Sequence, residues 1–160
     1  MKEKVLVLGV GNILLGDEGV GVRIVEELER RFRLPPEVTA LDGGTSGMDL
    51  LNPISDCQVL IIADAVRTGA SPGTVVRLDG DEVPALFRSK LSPHQVGISD
   101  VLAAAALTER VPGRIILFGV VPENLDLGLD LSDLIAPLVG TVVGLIADEL
   151  RSLGHRLEAA

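Results

Sequence analysis

The chain has 160 residues and a formal net charge of −9, and 47% of its residues are hydrophobic against 23% charged. These proportions are typical of a globular protein and exclude a long disordered tail. The negative charge repels nucleic acid and anionic membrane surfaces, so basic partners or metal ions are expected. The length predicts one domain, residues 1–160, with a core of Val, Leu, Ile and Ala because aromatic residues are only 2%.

The first elements in chain order are a strand, a glycine-rich loop and a helix. Residues 5–10 form an apolar run typical of a buried strand. The loop that follows has the sequence GVGNILLGDEGVGV and includes two adjacent acids, Asp17 and Glu18. Apolar residues spaced four apart then predict a helix with one buried face, at Val20, Ile24, Leu28 and Phe32.

Phosphate-binding sites also consist of a strand, a glycine-rich loop and a helix in this order, but the sequence of this loop argues against such a site. Leu14 stands where a dinucleotide fingerprint needs its third glycine. Asp17 and Glu18 stand where a phosphate loop carries Lys and Ser or Thr, and two carboxylates would repel a triphosphate. The loop is therefore expected to face a cation. Asp17 alone is explained more simply as a helix cap, whereas Glu18 is not needed for capping.

The middle of the chain predicts further strands and a short helix. A second strand is expected over residues 38–41 and ends at Asp42. Ser46 and Asp49 have the spacing of a capping box for a short helix that Pro53 would close. A third strand over 59–63, apolar on both faces as in a central parallel strand, is followed by Asp64.

The rest of the chain continues the alternation. A shorter and more polar strand over 74–78 suits a sheet edge, and residues 91–97, which include His94, are expected to form a loop. Helices are predicted over 81–87, 100–108 and 132–153, with a buried strand over 115–121. Alternating strands and helices predict an α/β fold, a mostly parallel twisted sheet with helices on both faces.

The sequence gives no sign of export or membrane insertion. The N-terminal apolar run is interrupted by glycines and acids, unlike a signal peptide. The longest uncharged apolar stretch, residues 134–147, is too short to span a bilayer. The single cysteine, Cys57, cannot form an internal disulfide and is expected to be a buried, inert thiol. A cytoplasmic location is expected.

Candidate functional residues follow the predicted strands. In open parallel sheets, ligands bind at the carboxyl ends of the strands, where Glu18, Asp42 and Asp64 are expected. Two carboxylates and the imidazole of His94 would suit a divalent transition metal with open positions. The spacing alone also allows a structural His94 and a turn-forming Asp64. The other histidine, His155, is expected to be solvated in a frayed C-terminus.

Other catalytic schemes lack their residues. Met48 occupies the second glycine position of a nucleophile elbow, and the chain contains no His-Glu-x-x-His. Cys57 has no neighbouring cation that would lower its pKa.

Four segments resemble the successive motifs of the [NiFe]-hydrogenase maturation endopeptidases. They are GVGNILLGDEGVGVRIVEEL, DGGTSGMDLL, DAVRTGASPGTV and SPHQVGISDVLAAA, and the resemblance spans residues 5–122 in the family's order. It implies a single α/β domain with about five strands. It also implies an endopeptidase that removes a C-terminal extension from the hydrogenase large-subunit precursor after nickel insertion.

The resemblance also implies roles for individual residues. The family's metal-contacting residues fall on Glu18, Asp64 and His94, and its important aspartate falls on Asp42. The three would contact nickel, either that of the precursor or another divalent metal at the same site. Asp42 would serve as a base or a positioning group of an aspartyl-type endopeptidase. A nickel-binding checkpoint or chaperone that does not cut stays open as the alternative.

Overall fold

The computed structural model describes residues 2–44, 47–80 and 111–160, without the side chains of residues 47 and 48. Two short 3₁₀ helices are present, Gly16–Gly19 and Gly47–Leu50. The described helices are α1 (Val20–Arg31), α2 (Leu51–Asp56) and α3 (Ala136–Ser152). The described strands are β1 (Val5–Val10), β2 (Phe32–Arg33), β3 (Val38–Gly44), β4 (Val59–Ala65), β5 (Val75–Asp79), β6 (Arg114–Val120) and β7 (Glu158–Ala159).

Five of these strands form one sheet in the order β3-β1-β4-β6-β5. The first four are parallel to one another, and β5 pairs antiparallel with β6 at the edge. Every residue of β1 and β4 is buried, because apolar Val, Leu and Ile side chains alternate to both faces of these inner strands. The predicted α/β fold with a mostly parallel sheet of about five strands is confirmed, and so is the edge position of β5.

Helices cover both faces of the sheet. One core contains buried residues of α1 and α3, such as Leu28 and Ile146, packed on the odd-numbered positions of β1 and β4. The other contains Leu50 and Ile54 of the α2 region, packed on the even-numbered positions of the same strands. Among the described residues, no helix is both long and apolar enough to cross a membrane.

Glycines let α1 approach the sheet with almost no gap. A Cβ at Gly21 would lie 2.1 Å from the carbonyl oxygen of Ala63 and 2.5 Å from that of Val10. A Cβ at Gly9 would lie 2.5 Å from the Gly21 carbonyl oxygen. Gly9 and Gly21 therefore allow close packing of helix on strand at the carboxyl edge of β4.

Several predicted boundaries are wrong. The strands β3 and β4 continue to Gly44 and Ala65, because Asp42 pairs with Gly9 and Asp64 with Gly119. Both acids thus lie within strands and not after them. Pro53 does not close a helix but lies in the first turn of α2, where its missing N–H would have no helical acceptor. Ser46, the predicted cap, lies outside the described residues.

The C-terminus is ordered, contrary to the expectation of a frayed end. The helix α3 begins at Ala136, later than predicted, and Gly154 turns the chain back with a φ of +90°. The N–H of His155 then bonds to the carbonyl of Leu150, and β7 pairs with β2. His155 is buried as a result, so its predicted exposure is wrong. The elements predicted over 81–87 and 100–108, and the loop of His94, lie outside the described residues.

Candidate functional site

Glu18 lies in the 3₁₀ helix between β1 and α1 and is buried. The loop before it turns sharply, with a φ of +131° at Gly11. A Cβ at Gly11 would lie 1.9 Å from the Glu18 carbonyl oxygen, so only glycine fits there. The backbone N–H of Glu18 bonds to the carbonyl of Leu15 at 3.2 Å. These contacts fix the position of Glu18 at the carboxyl edge of β1.

Asp64 is the second buried carboxylate of this edge, and its exposed fraction is 0%. It is the penultimate residue of β4 and alternates with Leu60 and Ile62 on the face that α2 covers. Its neighbour Ala63 packs against Gly21 of α1, and Gly21 lies three positions after Glu18 in the chain. The close approach of α1 to β4 therefore brings the segments of both acids to one place.

Asp17 connects this loop to a distant segment instead of capping a helix. Its carboxylate accepts hydrogen bonds from the N–H groups of Glu123 (3.0 Å), Asn124 (2.9 Å) and Ser132 (2.8 Å), and from the Ser132 hydroxyl (2.8 Å). The helix α1 has Gly19 at its N-cap with no side-chain capping bond, so the predicted capping role of Asp17 is wrong. The buried Asp17 carboxylate thus accepts hydrogen bonds from four donors at once.

The environment of Asp17 keeps it ionised. Burial raises its pKa, but the hydrogen bonds from Asn124, Ser132 and Glu123 outweigh burial, so the pKa lies below the ordinary 3.8. A charged carboxylate with four donors is a strong anchor. Asp17 thus holds the loop of Glu18 against residues 123–132, a contact that the sequence did not predict.

Asp42 lies on the same edge of the sheet but is exposed. The register places it opposite Gly9 of β1, which in turn lies opposite Ala63 of β4. Two strand spacings put the backbone of Asp42 about 10 Å from that of Ala63. Among the described residues its carboxylate accepts no hydrogen bond, including none from the N–H of Gly44. Asp42 is therefore accessible to a substrate that reaches the edge.

A cleft of about 360 Å³ opens at the same edge of the sheet, and none of Glu18, Asp42 and Asp64 is among its lining residues. It separates the loop that follows β4 from the loop that follows β6. Its size and position suit an extended segment of a polypeptide passing the strand ends. The lining residues are Arg67, Thr68, Gly69, Ala70, Pro72, Val121, Pro122, Glu123 and Leu125.

His94, the third predicted metal-contacting residue, lies outside the described part of the chain. Within residues 2–44, 47–80 and 111–160, no three His, Cys, Asp or Glu side chains group closely enough to hold a metal ion. Glu18 and Asp64 supply two carboxylates, and carboxylate oxygens with one imidazole form a donor set that divalent transition metals accept. Their chemistry fits the predicted site, and the three-residue set stays a prediction.

Cys57 takes no part in this edge. It is buried just before β4, at the opposite end of the strand from Asp64, roughly 20 Å away by strand rise. Its thiol donates to the carbonyl of Ile54 at 3.2 Å, and burial raises its pKa to about 11. The predicted burial of this thiol is confirmed, and its inertness stays a prediction.

The fold and this edge define an α/β protein in which the buried carboxylates of Asp17, Glu18 and Asp64 and the exposed carboxylate of Asp42 lie at the carboxyl edge of a mostly parallel sheet. A family model described as hydrogenase maturation protease matches residues 22–149. The chain belongs to this family, and it is a peptide hydrolase.

Individual relatives agree with the family match. The chain is 47% identical over 152 residues to the hydrogenase 2 maturation protease of Escherichia coli (strain K12), covering 94% of this chain and 93% of the relative. The solved structure of the hydrogenase maturating endopeptidase HybD from E. coli has a TM-score of 0.94 at 46% identity, covering 98% and 97% of the two chains. The [NiFe] hydrogenase maturation protease HybD from Thermococcus kodakarensis has a TM-score of 0.75 at 31% identity, covering 92% and 98%.

Proposed function

We propose that this protease removes a C-terminal extension from the nickel-loaded precursor of a [NiFe]-hydrogenase large subunit. The observation that carries the proposal is the placement of Glu18 and Asp64. Two buried carboxylates, on segments that the packing of α1 on β4 brings near one another, lie at the carboxyl edge of the sheet in a member of the hydrogenase maturation protease family. Carboxylate oxygens, together with an imidazole, are ligands that divalent transition metals accept.

In this proposal the nickel is part of the substrate. Glu18, Asp64 and His94 contact the ion that cysteines of the precursor already hold. The contact fixes the precursor on the enzyme, so that the peptide bond to be cut lies near the metal. Cleavage then depends on correct metal loading, because a precursor without nickel lacks the group that these residues bind. Another divalent metal at the same site could polarise the carbonyl or activate a water molecule.

Asp42 is the residue proposed to act on the peptide bond, as a base or as a positioning group. It is exposed, it accepts no hydrogen bond among the described residues, and its backbone is about 10 Å from that of Ala63. That distance suits a group acting on a peptide next to the metal. A carboxylate in reach of the attacking water is a general base of the usual kind.

The experiment is to incubate the protein with nickel-loaded precursor and to record the intact mass of the precursor. The wild-type protein is expected to release the C-terminal extension, while Glu18→Gln and Asp64→Asn leave the precursor whole. Glu29→Gln, at an exposed acid near the C-terminal end of α1, is the matched control and should cut normally. Stable binding with no loss of mass would contradict the proposal and favour a nickel-binding checkpoint. A cytoplasmic site of action accompanies the proposal.

A further inference from the structure

Three leucines project into solvent beside the loop of Glu18. The exposed fractions of Leu14, Leu127 and Leu129 are 51%, 84% and 58%. An isoleucine or leucine exposed singly needs no explanation, but a group of them at one place marks an interaction surface. We call these three residues the leucine patch.

The backbone holds the leucine patch together. Leu15 and Gly128 form a parallel β-bridge, in which the N–H of Gly128 bonds to the carbonyl of Leu14 at 2.8 Å. The N–H of Gly16 bonds in turn to the carbonyl of Gly128 at 2.9 Å. This register places Leu14 next to Leu127 on the two paired segments.

Both ends of the segment that carries Leu127 and Leu129, residues 124–132, are also held in place. Asp17 binds Asn124 before the leucines and Ser132 after them. Arg23 of α1 donates to the carbonyl of Leu129 at 3.3 Å. A surface held in this way loses little conformational entropy when a partner binds, so its exposed apolar area favours binding.

The segment that carries Leu127 and Leu129 is acidic. Residues 123–134 contain no Lys or Arg, and their four acids, Glu123, Asp126, Asp130 and Asp133, are all exposed. Among the described residues these acids form no ion pair. The surface therefore attracts a basic partner and disfavours a second copy of the same acidic chain.

A groove of about 940 Å³ continues from Leu129 between α1 and α3. The three arginines that line it all pair with glutamates of α1: Arg23 pairs with Glu26 at 3.2 Å, and Arg30 and Arg31 share Glu27. The bonds from these two arginines hold the pKa of Glu27 at about 2. The carboxylates left to meet a ligand are those of Asp130 and Asp133, which also line the groove.

We propose that the leucine patch and the exposed acids of residues 123–134 form a docking surface for the protein that is cut. This surface binds an apolar segment of that protein flanked by Lys or Arg. The proposal rests on the proposed function, since the occupant is its substrate. The position supports it, because the carbonyl of Leu15 accepts the N–H of Glu18. A partner seated on the leucine patch therefore lies one helical turn from a candidate metal-contacting residue.

The test compares variants of the full chain in binding and cleavage of the nickel-loaded precursor. The double variant Leu127→Ser with Leu129→Ser removes exposed apolar area without touching the core, so it is expected to fold. Binding should weaken about tenfold or more, with KM raised and kcat nearly unchanged. Leu145→Ser, on the exposed side of α3 with 40% exposure, is the matched control and should behave as the wild type.

A second variant tests the charges. Asp126→Asn with Asp130→Asn should weaken binding a few-fold at low salt and should reduce its dependence on salt concentration.

Wild-type affinity in both double variants would overturn the docking surface while leaving the proposed function intact. Binding of the precursor without cutting, still weakened by the leucine double variant, would support the docking surface and contradict the proposed function. A wild-type protein that does not bind the precursor, or a dimer that the leucine double variant dissociates, would overturn the docking surface.

Discussion

Asp17 and Ser132 lie 115 positions apart in the chain and are joined by two hydrogen bonds of 2.8 Å, from the backbone N–H and the hydroxyl of Ser132 to the Asp17 carboxylate. This contact fixes the loop of Glu18 to the segment that carries Leu127 and Leu129. The two surfaces that we assign to substrate recognition are thus one rigid unit.

Replacing Asp17 with Asn should destabilise the protein. The amide keeps one acceptor, but its NH₂ group faces a donor that the carboxylate oxygen served. Loss of a charged, buried acceptor of this kind costs about 2 kcal/mol, or a decrease in Tm of about 4–8 °C for a chain of this size. Asp133→Asn, at an exposed acid of the same segment, is the control. Equal melting temperatures for wild type and Asp17→Asn would contradict the anchoring role.

Gly21→Ala should be strongly destabilising. The new Cβ would meet the backbone oxygens of Ala63 and Val10, which cannot move without shifting two central strands. We expect a loss of about 3 kcal/mol or more in the free energy of unfolding. Gly144→Ala on the exposed side of α3 is the matched control, because its Cβ would meet no atom within 4 Å.

The control variant Gly144→Ala should instead increase the free energy of unfolding. Alanine in a helix interior is favoured over glycine by about 0.5–1 kcal/mol. Chemical denaturation of both variants gives the two values. Similar free energies for Gly21→Ala and the wild type would show that α1 does not need its close contact with β4.

Cys57→Ala should retain processing activity, because the thiol is buried at the far end of β4 from Asp64. Its raised pKa, about 11, also predicts slow alkylation by iodoacetamide near pH 8, with a rate that increases towards pH 11. Burial favours the neutral thiol, so the associated stabilisation is present below the unfolded pKa of 9.0 and is lost as the pH rises from 9 towards 11. Rapid labelling at pH 8, or loss of activity in Cys57→Ala, would contradict this account and revive a thiol mechanism.

Asp42→Asn separates a chemical role from a positioning role. The amide keeps the shape of the side chain but removes the charge and the base. If Asp42 acts on the peptide bond, the variant should bind nickel-loaded precursor normally and cut it about 100-fold more slowly or worse. Single-turnover rates and binding affinities in parallel provide the measurement. Cutting at the wild-type rate would end the catalytic proposal for Asp42.

The sequence predicted the sheet well because its signals are local. The inner strands are continuous apolar runs, and the face of α1 repeats every three to four residues. Asp64 could be recognised from the sequence for the same reason, because it directly follows such a run, and Glu18 because it lies in the loop between β1 and α1. The predicted ends of β3 and β4 were wrong, because pairing with the neighbouring strand, and not the local sequence, decides that Asp42 and Asp64 lie within these strands.

The contacts of Asp17 and the burial of His155 could not be read from the sequence. An acid at the start of a helix has the same local pattern whether it caps that helix or binds a segment 115 residues away. His155 follows the end of α3, where fraying is the usual outcome. Its burial depends on the pairing of β7 with β2, a contact between two-residue strands that carry no periodic signal.

The central claim is that cleavage depends on nickel in the precursor, recognised through Glu18 and Asp64. The most direct measurement is the intact mass of nickel-loaded and metal-free precursor after incubation with the same amount of wild-type protein. Only the nickel-loaded precursor should lose its C-terminal extension, and the Glu18→Gln protein should cut neither. Equal shortening of the metal-free precursor would contradict the claim.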